Sequence, residues 1–477
     1  MASVSFHHGT RVFQSGETPV LVRTAQTAVI GLIGTAADAD AVKFPLNKPI
    51  QLLRPSDAEG LGATGTLMEA IDSIFDQVGC PIIMVRIEEG DTTAETWANA
   101  VGNQVAFSGV HAFRRAKPDG LYKPKLLLAP GLTQTSPADG IASIAVGAGG
   151  SGYPTDGTTV AITGTGGAGA EAKAVVVEGI VTSIIVTKPG YGYTGTVTVT
   201  ITGAGGTGAT ATAAKGSVIN PVVAELMGVA ETLKAITYVD GPDSTDQAAV
   251  QYRGLINSGR VFVCDPKVLK FNTEDAVNVP QPSSPIWAAR QAKMDLEQGF
   301  WWAGSNTEIA GIVGTNRPIE YGVQSNYLNE NRVNTIVNID NTGFRLWGVW
   351  TCDSDLLWQF VSVRRTADAI NEALEAAYLE FVDRPFTKAN LKFMIEAGRA
   401  FLRTMELEGA ILPGHDVWLL DSNTDNDLAQ GIVKLGVKFE PPAPMVDIRI
   451  TSYRNIASYT LLLNQVAQEI SSGSLAA

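Results

Sequence analysis

Cysteine, histidine and charged residues are all scarce in this chain. Its three cysteines, Cys80, Cys264 and Cys352, lie far apart with no CxxC and no cysteine–histidine cluster. That excludes a disulfide framework or zinc site readable from sequence, and it fits a reducing compartment. Of the four histidines, His7 and His8 adjoin near one end while His111 and His415 are isolated, so no metal-ligand spacing can be assembled. The phosphate-loop pattern GxxxxGK followed by Ser or Thr is absent, as are the GxSxG elbow and H-E-x-x-H. No stretch approaches the ~18 consecutive apolar residues of a membrane span, and the opening residues lack the basic and apolar regions of a secretion signal. The expectation is a chain that is soluble and intracellular at synthesis. Lys and Arg number 35 against 48 Asp and Glu, giving −13 and a pI near 4.9. Such a balance is a poor electrostatic footprint for nucleic acid.

What the chain has is length and apolar content: 477 residues, 45% hydrophobic, enough for several domains with real cores. The clearest break in composition falls between about 138 and 217. Residues 140–216 hold 19 of the 49 glycines but no Trp, Phe or Met and only three tyrosines. The stretch repeats with a period of roughly 40 residues. Ser143-Ile144-Ala145-Val146 returns as Ser183-Ile184-Ile185-Val186, Gly152-Tyr153 as Gly192-Tyr193, and Ile162-Thr163-Gly164 as Ile201-Thr202-Gly203. Val197 to Thr202 alternates strictly, as a half-buried strand does. The reading is a small all-β insert of two copies.

Its flanks place it. Lys125 to Ala129 reads as a buried strand stopped by Pro130-Gly131, and residues 218–234 carry Val222, Leu226, Val229 and Leu233 at helical spacing. The insert should therefore project from a β→α loop, where insertions are tolerated. Around it strands (27–33, 50–53, 82–87, 236–239, 261–264) alternate with helices (66–78, 218–234, 245–257), which predicts an α/β domain on a largely parallel sheet. The last third changes to α+β. A helix over 366–382 turns Ile370, Leu374, Ala377 and Phe381 inward; a second, capped by Thr387 and ended by Gly409, carries Leu391, Ile395, Leu402 and Met405. The run 445–452 alternates as a strand, with Val446, Ile448 and Ile450 on one side.

The fold class is thus an α/β outer domain plus an α+β carboxy-terminal domain, with a Gly-rich all-β repeat insert. The expected organisation is an amino-terminal arm (1–22), the outer domain in two parts (23–137 and 218–342), the protruding insert (138–217), the carboxy-terminal domain (343–458) and a carboxy-terminal arm (459–477).

Candidate chemistry is thin. GxGxxG occurs four times, from Gly147, Gly164, Gly190 and Gly203, all within the insert. A dinucleotide site needs that motif between a strand and the helix whose amino terminus holds the pyrophosphate; none of the four precedes a helix pattern, and they read as turn glycines. Asp421, Asn423, Asp425 and Asp427 mimic the start of a calcium loop, but Asn426 stands where Gly is needed and Ile432 where a bidentate Glu is needed. A solvated turn is the better reading. Aromatics cluster at Phe300-Trp301-Trp302 and at Phe344, Trp347, Trp350, Trp358 and Phe360, read as core with a share at subunit contacts. No catalytic residue, metal site or cofactor is assigned.

Several stretches together carry a family likeness. His7 to Val12, Thr27 to Gly31 leading to Phe44-Pro45-Leu46-Asn47-Lys48-Pro49, Asp295 to Phe300, Leu328-Asn329-Glu330, Gly343 to Gly348, Arg364 to Ala367 and Pro441-Pro442-Ala443-Pro444 resemble the tail sheath proteins of contractile-tailed bacteriophages. The resemblance runs from about 6 to 460 and skips the insert. It implies a virion protein assembled in the host cytoplasm, without enzymatic activity or membrane insertion. Such a subunit polymerises with itself as hexameric rings or a helix around the tail tube protein, meets baseplate and tail terminator proteins, and contracts to deliver the genome.

It also implies that terminal arms add strands to the carboxy-terminal domain sheets of neighbours. Val4, Phe6, Val20, Leu21 and Val22 occupy the amino-terminal place; Tyr459, Leu461, Leu462 and Leu463 the carboxy-terminal one; and Val446, Ile448 and Ile450 the lattice sheet. The apolar run 459–463 would invite strand pairing if left exposed. Rival readings are the sheath of a tailocin, a nucleotide-dependent α/β enzyme with a β insert, and a Gly-rich surface adhesin.

Overall fold

The computed structural model describes residues 26–273 and 275–471. The arm residues Val4, Phe6, Val20, Leu21 and Val22 lie outside the described residues. By contacts the chain forms two units, one running to Ala443 and one starting at Pro444.

The first unit is built on a six-stranded sheet. In chain order its strands are β1 (Ile30–Thr35), β2 (Pro49–Leu52), β3 (Ile82–Ile87), β4 (Leu126–Leu128), then, beyond the insert strands β5 to β10 described below, β11 (Ile236–Asp240) and β12 (Val261–Cys264). The spatial order is β12-β11-β4-β1-β3-β2, parallel throughout except for β2, which runs antiparallel on the β3 edge. Every residue of β1, β3, β4, β11 and β12 is buried. Such burial on both faces is why these strands are near-continuous apolar runs rather than alternating ones.

Helices cover both faces. α1 (Leu67–Phe75) and α5 (Ser284–Glu297) pack against Ile30, Leu32, Ile82 and Met84 on one side; α2 (Thr93–Val101) and α3 (Pro221–Leu233) pack against Val29, Ile33, Ile83 and Val85 on the other. Alternation along the strand sends neighbouring side chains into the two separate cores. α4 (Asp246–Gly254) and α6 (Gln324–Glu330) close the β12 edge. Local sequence fixes the helix starts. Thr92 and Glu95 form a reciprocal capping box on α2, with Glu95 N donating to Thr92 Oγ1 at 3.2 Å. Asn220 Oδ1 accepts from Val222 N at 2.8 Å just before Pro221 opens α3.

The insert lies between β4 and α3, so a strand–helix–strand crossover from β4 to β11 is interrupted at its loop. It comprises β5 (Gly140–Ser151), β6 (Thr159–Gly164), β7 (Ala168–Val177), β8 (Ile180–Tyr191), β9 (Val197–Thr202) and β10 (Thr207–Gly216), three strands per repeat. Pairing crosses between repeats. β7 of the first pairs with β8 of the second, β10 of the second with β5 of the first, and the middle strands β6 and β9 pair antiparallel with each other. The two repeats are thus related by a pseudo-two-fold with exchanged strands around one core of Ile141, Ile144, Tyr153, Ala174, Val176, Val181, Ile184 and Tyr193.

The exchange is mirrored in detail. Ala209 N donates to Tyr153 Oη and Ala170 N to Tyr193 Oη, both at 3.3 Å. Gly206 and Gly167 lie against those two rings, where a side chain would overlap the aromatic carbons. At the host end Tyr193 N donates to Asp139 O at 3.2 Å; at the far end the twin bond joins Tyr153 N to Gly179 O at 3.0 Å. Tyr191 anchors the module to the host, its ring edge-on to Trp97 at 5.8 Å and its hydroxyl donating to Ala94 O.

Beyond β12 come the antiparallel set β13 (Val268–Asn272), β14 (Val277–Gln281) and β15 (Gly314–Thr315), and the hairpin β16 (Thr335–Asn338) with β17 (Phe344–Trp347). α7 (Val361–Tyr378) and α8 (Lys388–Glu408) follow, then a two-stranded ladder of β18 (Asp416–Leu419) and β19 (Leu435–Lys438), with the short α9 (Asp425–Ala429) between. Thr387 caps α8, accepting from Asn390 N, and Gly409 ends it at φ 83°. Phe300, Ile370, Leu374, Leu402, Met405 and Val417 make a core of their own.

The second unit, described to Ser471, holds a stretch without helix or strand up to about 455 and one helix, α10 (Ser458–Ser471). One expectation is corrected here, the extended form of 459–463, while the run 445–452 is unpaired in the single subunit. Val446, Ile448 and Ile450 lie in no ladder among the described residues and are exposed at 53%, 72% and 87%. Tyr459, Leu461, Leu462 and Leu463 are helical rather than extended. Their physical reason is spacing: Tyr459, Leu463, Val466 and Ile470 recur at four, three and four residues, a helical stripe, and Leu, Gln, Ala and Glu are strong helix formers.

Candidate functional site

Among the described residues no group of three or more His, Cys, Asp or Glu could hold a metal ion. The four GxGxxG stretches fall in the strands and turns of the insert, and no helix follows any of them. The calcium-like loop is a helix start: Thr424 Oγ1 accepts from Asp427 N, and Asp427 pairs with Lys434 at 2.8 Å. The Lys434 ammonium and the Thr424 hydroxyl hold that carboxyl down to about 2. His111 pairs with Glu225 at 3.0 Å and His415 with Glu406 at 2.8 Å, each a single contact. All three cysteines are buried and free, the Cys80 thiol pushed up to about 12 by burial. The aromatic clusters divide. Phe300 lies in the α7–α8 core with Trp301, Trp347 meets Tyr321 edge-on at 5.3 Å, Trp358 stacks under Arg364 at 5.4 Å, and Trp302 is half exposed.

The chemistry that stands out is at surfaces and seams. The β18–β19 ladder has no further strand on either outer edge among the described residues. Val417 is fully buried against α8, whereas Trp418 and Leu419 on the same strand stay more than a third exposed. A two-stranded ribbon held by a helix, with both edges unpaired, is a ready acceptor for an added strand. In the second unit, the apolar side chains of 445–456 and the stripe of α10 are exposed one after another. Sequences with that much apolar exposure on a soluble protein mark contact surfaces.

A second feature, unforeseen from sequence, is an ionic seam along α7. Arg365 makes a two-pronged pair with Asp295 of α5, one arm at 2.6 Å, both side chains almost wholly buried. Arg260 forks onto Asp368, one arm at 3.0 Å, and reaches Glu231 of α3 at 2.8 Å. Glu372 takes Lys123 at 2.6 Å and also Lys125, and Glu375 takes Lys234 at 2.5 Å. Burial pushes the Lys125 ammonium down to about 8, with Glu372 opposing. Burial pushes Glu372 up, but the two ammoniums beside it prevail and hold its carboxyl below the usual range. The signal for the seam was the i, i+4, i+7 spacing of Asp368, Glu372 and Glu375 on one face of α7. Their partners come from three separate segments, at 123–125, 234 and 260, and leave no local trace.

The comparisons with known proteins agree with one another. The phage tail sheath protein central domain family matches residues 195–352. A putative prophage major tail sheath protein of Pseudomonas aeruginosa is 38% identical over 245 residues, which span 50% of this chain and 63% of that one. The tail sheath protein of Burkholderia phage BcepMu is 28% identical over 96% of this chain and 98% of its own, and that of Escherichia phage P2 is 25% identical over 93% and 94%. Among solved structures, the contracted helical sheath of the anti-feeding prophage superposes with TM-score 0.60 at 16% identity, over 95% of this chain and all of that chain. The contracted PVC sheath complex of an extracellular contractile injection system does so with TM-score 0.60 at 15% identity, over 96% and 100%. With ladder edges open and apolar segments exposed, the chain is similar over nearly its whole length to the tail sheath proteins of contractile phages.

Proposed function

We propose that this chain is the structural subunit of a contractile tail sheath, polymerising around a tail tube in an extended, metastable state and contracting to drive the tube through a host envelope for genome delivery. The observation that carries this reading is alignment over more than nine-tenths of both chains with the tail sheath proteins of two phages. No nucleotide is needed for such work. Interfaces with two discrete packings store energy, and a few kcal/mol per subunit adds up over a polymer. The protein is read as non-enzymatic, with baseplate, tail terminator and tail tube proteins as partners, located in the virion after assembly in the host cytoplasm.

Residues 1–22 and 459–477 act as arms between neighbours, and Val446, Ile448 and Ile450 belong to the lattice sheet. The helical form of α10 refines the arm. The unpaired, alternating stretch 445–452 is the segment suited to join a ladder, and α10 docks by its stripe of Tyr459, Leu463, Val466 and Ile470. The insert sits in the outer α/β domain, on the outside of the tail away from the tube.

Negative-stain electron microscopy of concentrated protein tests the reading. Hollow striated tubes of uniform diameter, unaffected by EDTA or nucleotide, are expected; tubes lost in EDTA would reopen a metal-dependent reading, and a monomer that fails to coat purified tail tubes would overturn the sheath reading. A second reading, the sheath of a contractile particle without a genome, is favoured by the likeness to sheaths of injection systems. Purified particles with or without DNA-filled heads distinguish the two.

A further inference from the structure

The strand order of the main sheet reverses between β1 and β4. β1 continues through α1 to β3 on one side, while β4 continues through α3 to β11 on the other. The loops leaving such a pair diverge, and open α/β sheets take their ligands in the resulting crevice at the carboxyl ends. Here the crevice is a cavity of about 160 Å³ lined by Thr66 at the start of α1, Pro130 and Gly131 after β4, and Gln134, Lys267 and Gln281.

Its polar groups are not used up by the protein. The Lys267 ammonium makes no ion pair among the described residues. The Oε1 atom of Gln134 is buried without a hydrogen-bond partner, a costly state for an acceptor. Thr66 is fixed to the end of β1, its N donating to Thr35 O at 3.0 Å and its Oγ1 accepting from Thr35 N at 3.3 Å. That leaves the Thr66 hydroxyl proton free to donate.

We propose that this crevice binds a small, singly charged hydroxylated oxyanion, of the size and chemistry of dihydrogenphosphate, free or as the singly protonated phosphoryl group of a small molecule. Its anionic oxygens meet Lys267 and the Thr66 hydroxyl, and its own O–H donates to Gln134 Oε1. A neutral ligand leaves the ammonium unpaired; an oxyanion without a proton leaves the Gln134 oxygen unpaired. Glu69 on the exposed rim disfavours multiply charged ligands. The site is independent of the sheath reading and stands or falls without it.

The test is a titration of the full-length protein followed by phosphorus-31 line broadening, with thermal shift at matched ionic strength. Inorganic phosphate should broaden saturably, with sulfate, which carries no proton at neutral pH, competing at least tenfold more weakly. Glycerol phosphate in a parallel arm separates a free ion from a phosphorylated small molecule. Lys267→Met should weaken binding at least tenfold while Lys267→Arg retains it, and Gln134→Leu should erase the preference for phosphate over sulfate. Broadening that never saturates, equal competition by sulfate, or a Gln134→Leu protein that still prefers phosphate overturns the proposal. If Lys267→Met does not fold, the Arg and Leu variants decide.

Discussion

Buried charge decides how individual residues of this protein respond to change. Arg365 and Asp295 neutralise each other at side-chain exposures of 6% and 0%. Removing one partner strands the other, so Arg365→Ala should cost about 3–5 kcal/mol in urea unfolding, whereas the paired change Arg365→Met with Asp295→Leu should recover most of it. Asp240 and Asp265 respond to pH instead. Burial pushes both carboxyls up to about 6, against the Ser284 bonds for Asp240 and against Arg317 for Asp265. A raised folded-state pKa means their contribution is fully present below about pH 4 and is lost as pH rises through 6. At about 1.4 kcal/mol per pKa unit, that is on the order of 2–3 kcal/mol for each group. Stability should therefore fall between pH 4 and 7, and Asp240→Asn should flatten that slope in thermal scans at a series of pH values. Lys125 has the opposite window. The folded chain binds fewer protons than the unfolded one between about 8 and 10.5, so its contribution grows as pH rises there.

At the scale of elements the insert behaves as a removable piece. Its stems meet, with Val218 N donating to Pro137 O at 3.0 Å, so a short linker can close the β4-to-α3 loop. Deleting residues 140–216 should leave the thermal transition of the host domain in place, and complete misfolding would refute the loop placement. Gly206→Val, which drives a side chain into the Tyr153 ring, should melt the insert alone, read by hydrogen exchange at Tyr153 and Ala209 while β1 and β3 stay protected.

The same scale shows what the sequence could convey. The strands at 82–87 and 261–264 were legible because short apolar runs bounded by turn residues have one economical use, a buried parallel strand. The insert was legible because its repeat and composition set it apart. The segment 459–463 was misread because three consecutive leucines look like a strand when the stripe continuing to Ile470 is ignored. The α7 seam was illegible because ion pairs between distant segments leave no periodic signature. The crevice lining was illegible for the same reason, being assembled from four separate chain segments.

For the whole molecule the question is what holds subunits together. Truncating 459–477 should leave a monomer with unchanged thermal unfolding of the first unit yet abolish tubes in electron micrographs, because the exposed stripe of α10 has no core of its own to stabilise. Normal tubes from that truncation would remove the arm from the assembly. With a net charge of −13, subunits repel one another, so tube formation should strengthen as salt is raised from about 10 to 150 mM, over which the screening length shortens from about 30 to 8 Å.

The exchanged strands of the insert carry a topological consequence. The pseudo-two-fold maps the splice into the host, between Gly216 and Gly140, onto the turn at Glu178-Gly179 between Val177 and Ile180. The module therefore has two interchangeable doors at opposite ends. A circular permutant that opens at 178–179 and closes Gly216 to Gly140 with a two-residue turn should fold to the same shape, carried by its other end. A foreign peptide spliced at the same turn would be displayed at the point farthest from the host domain.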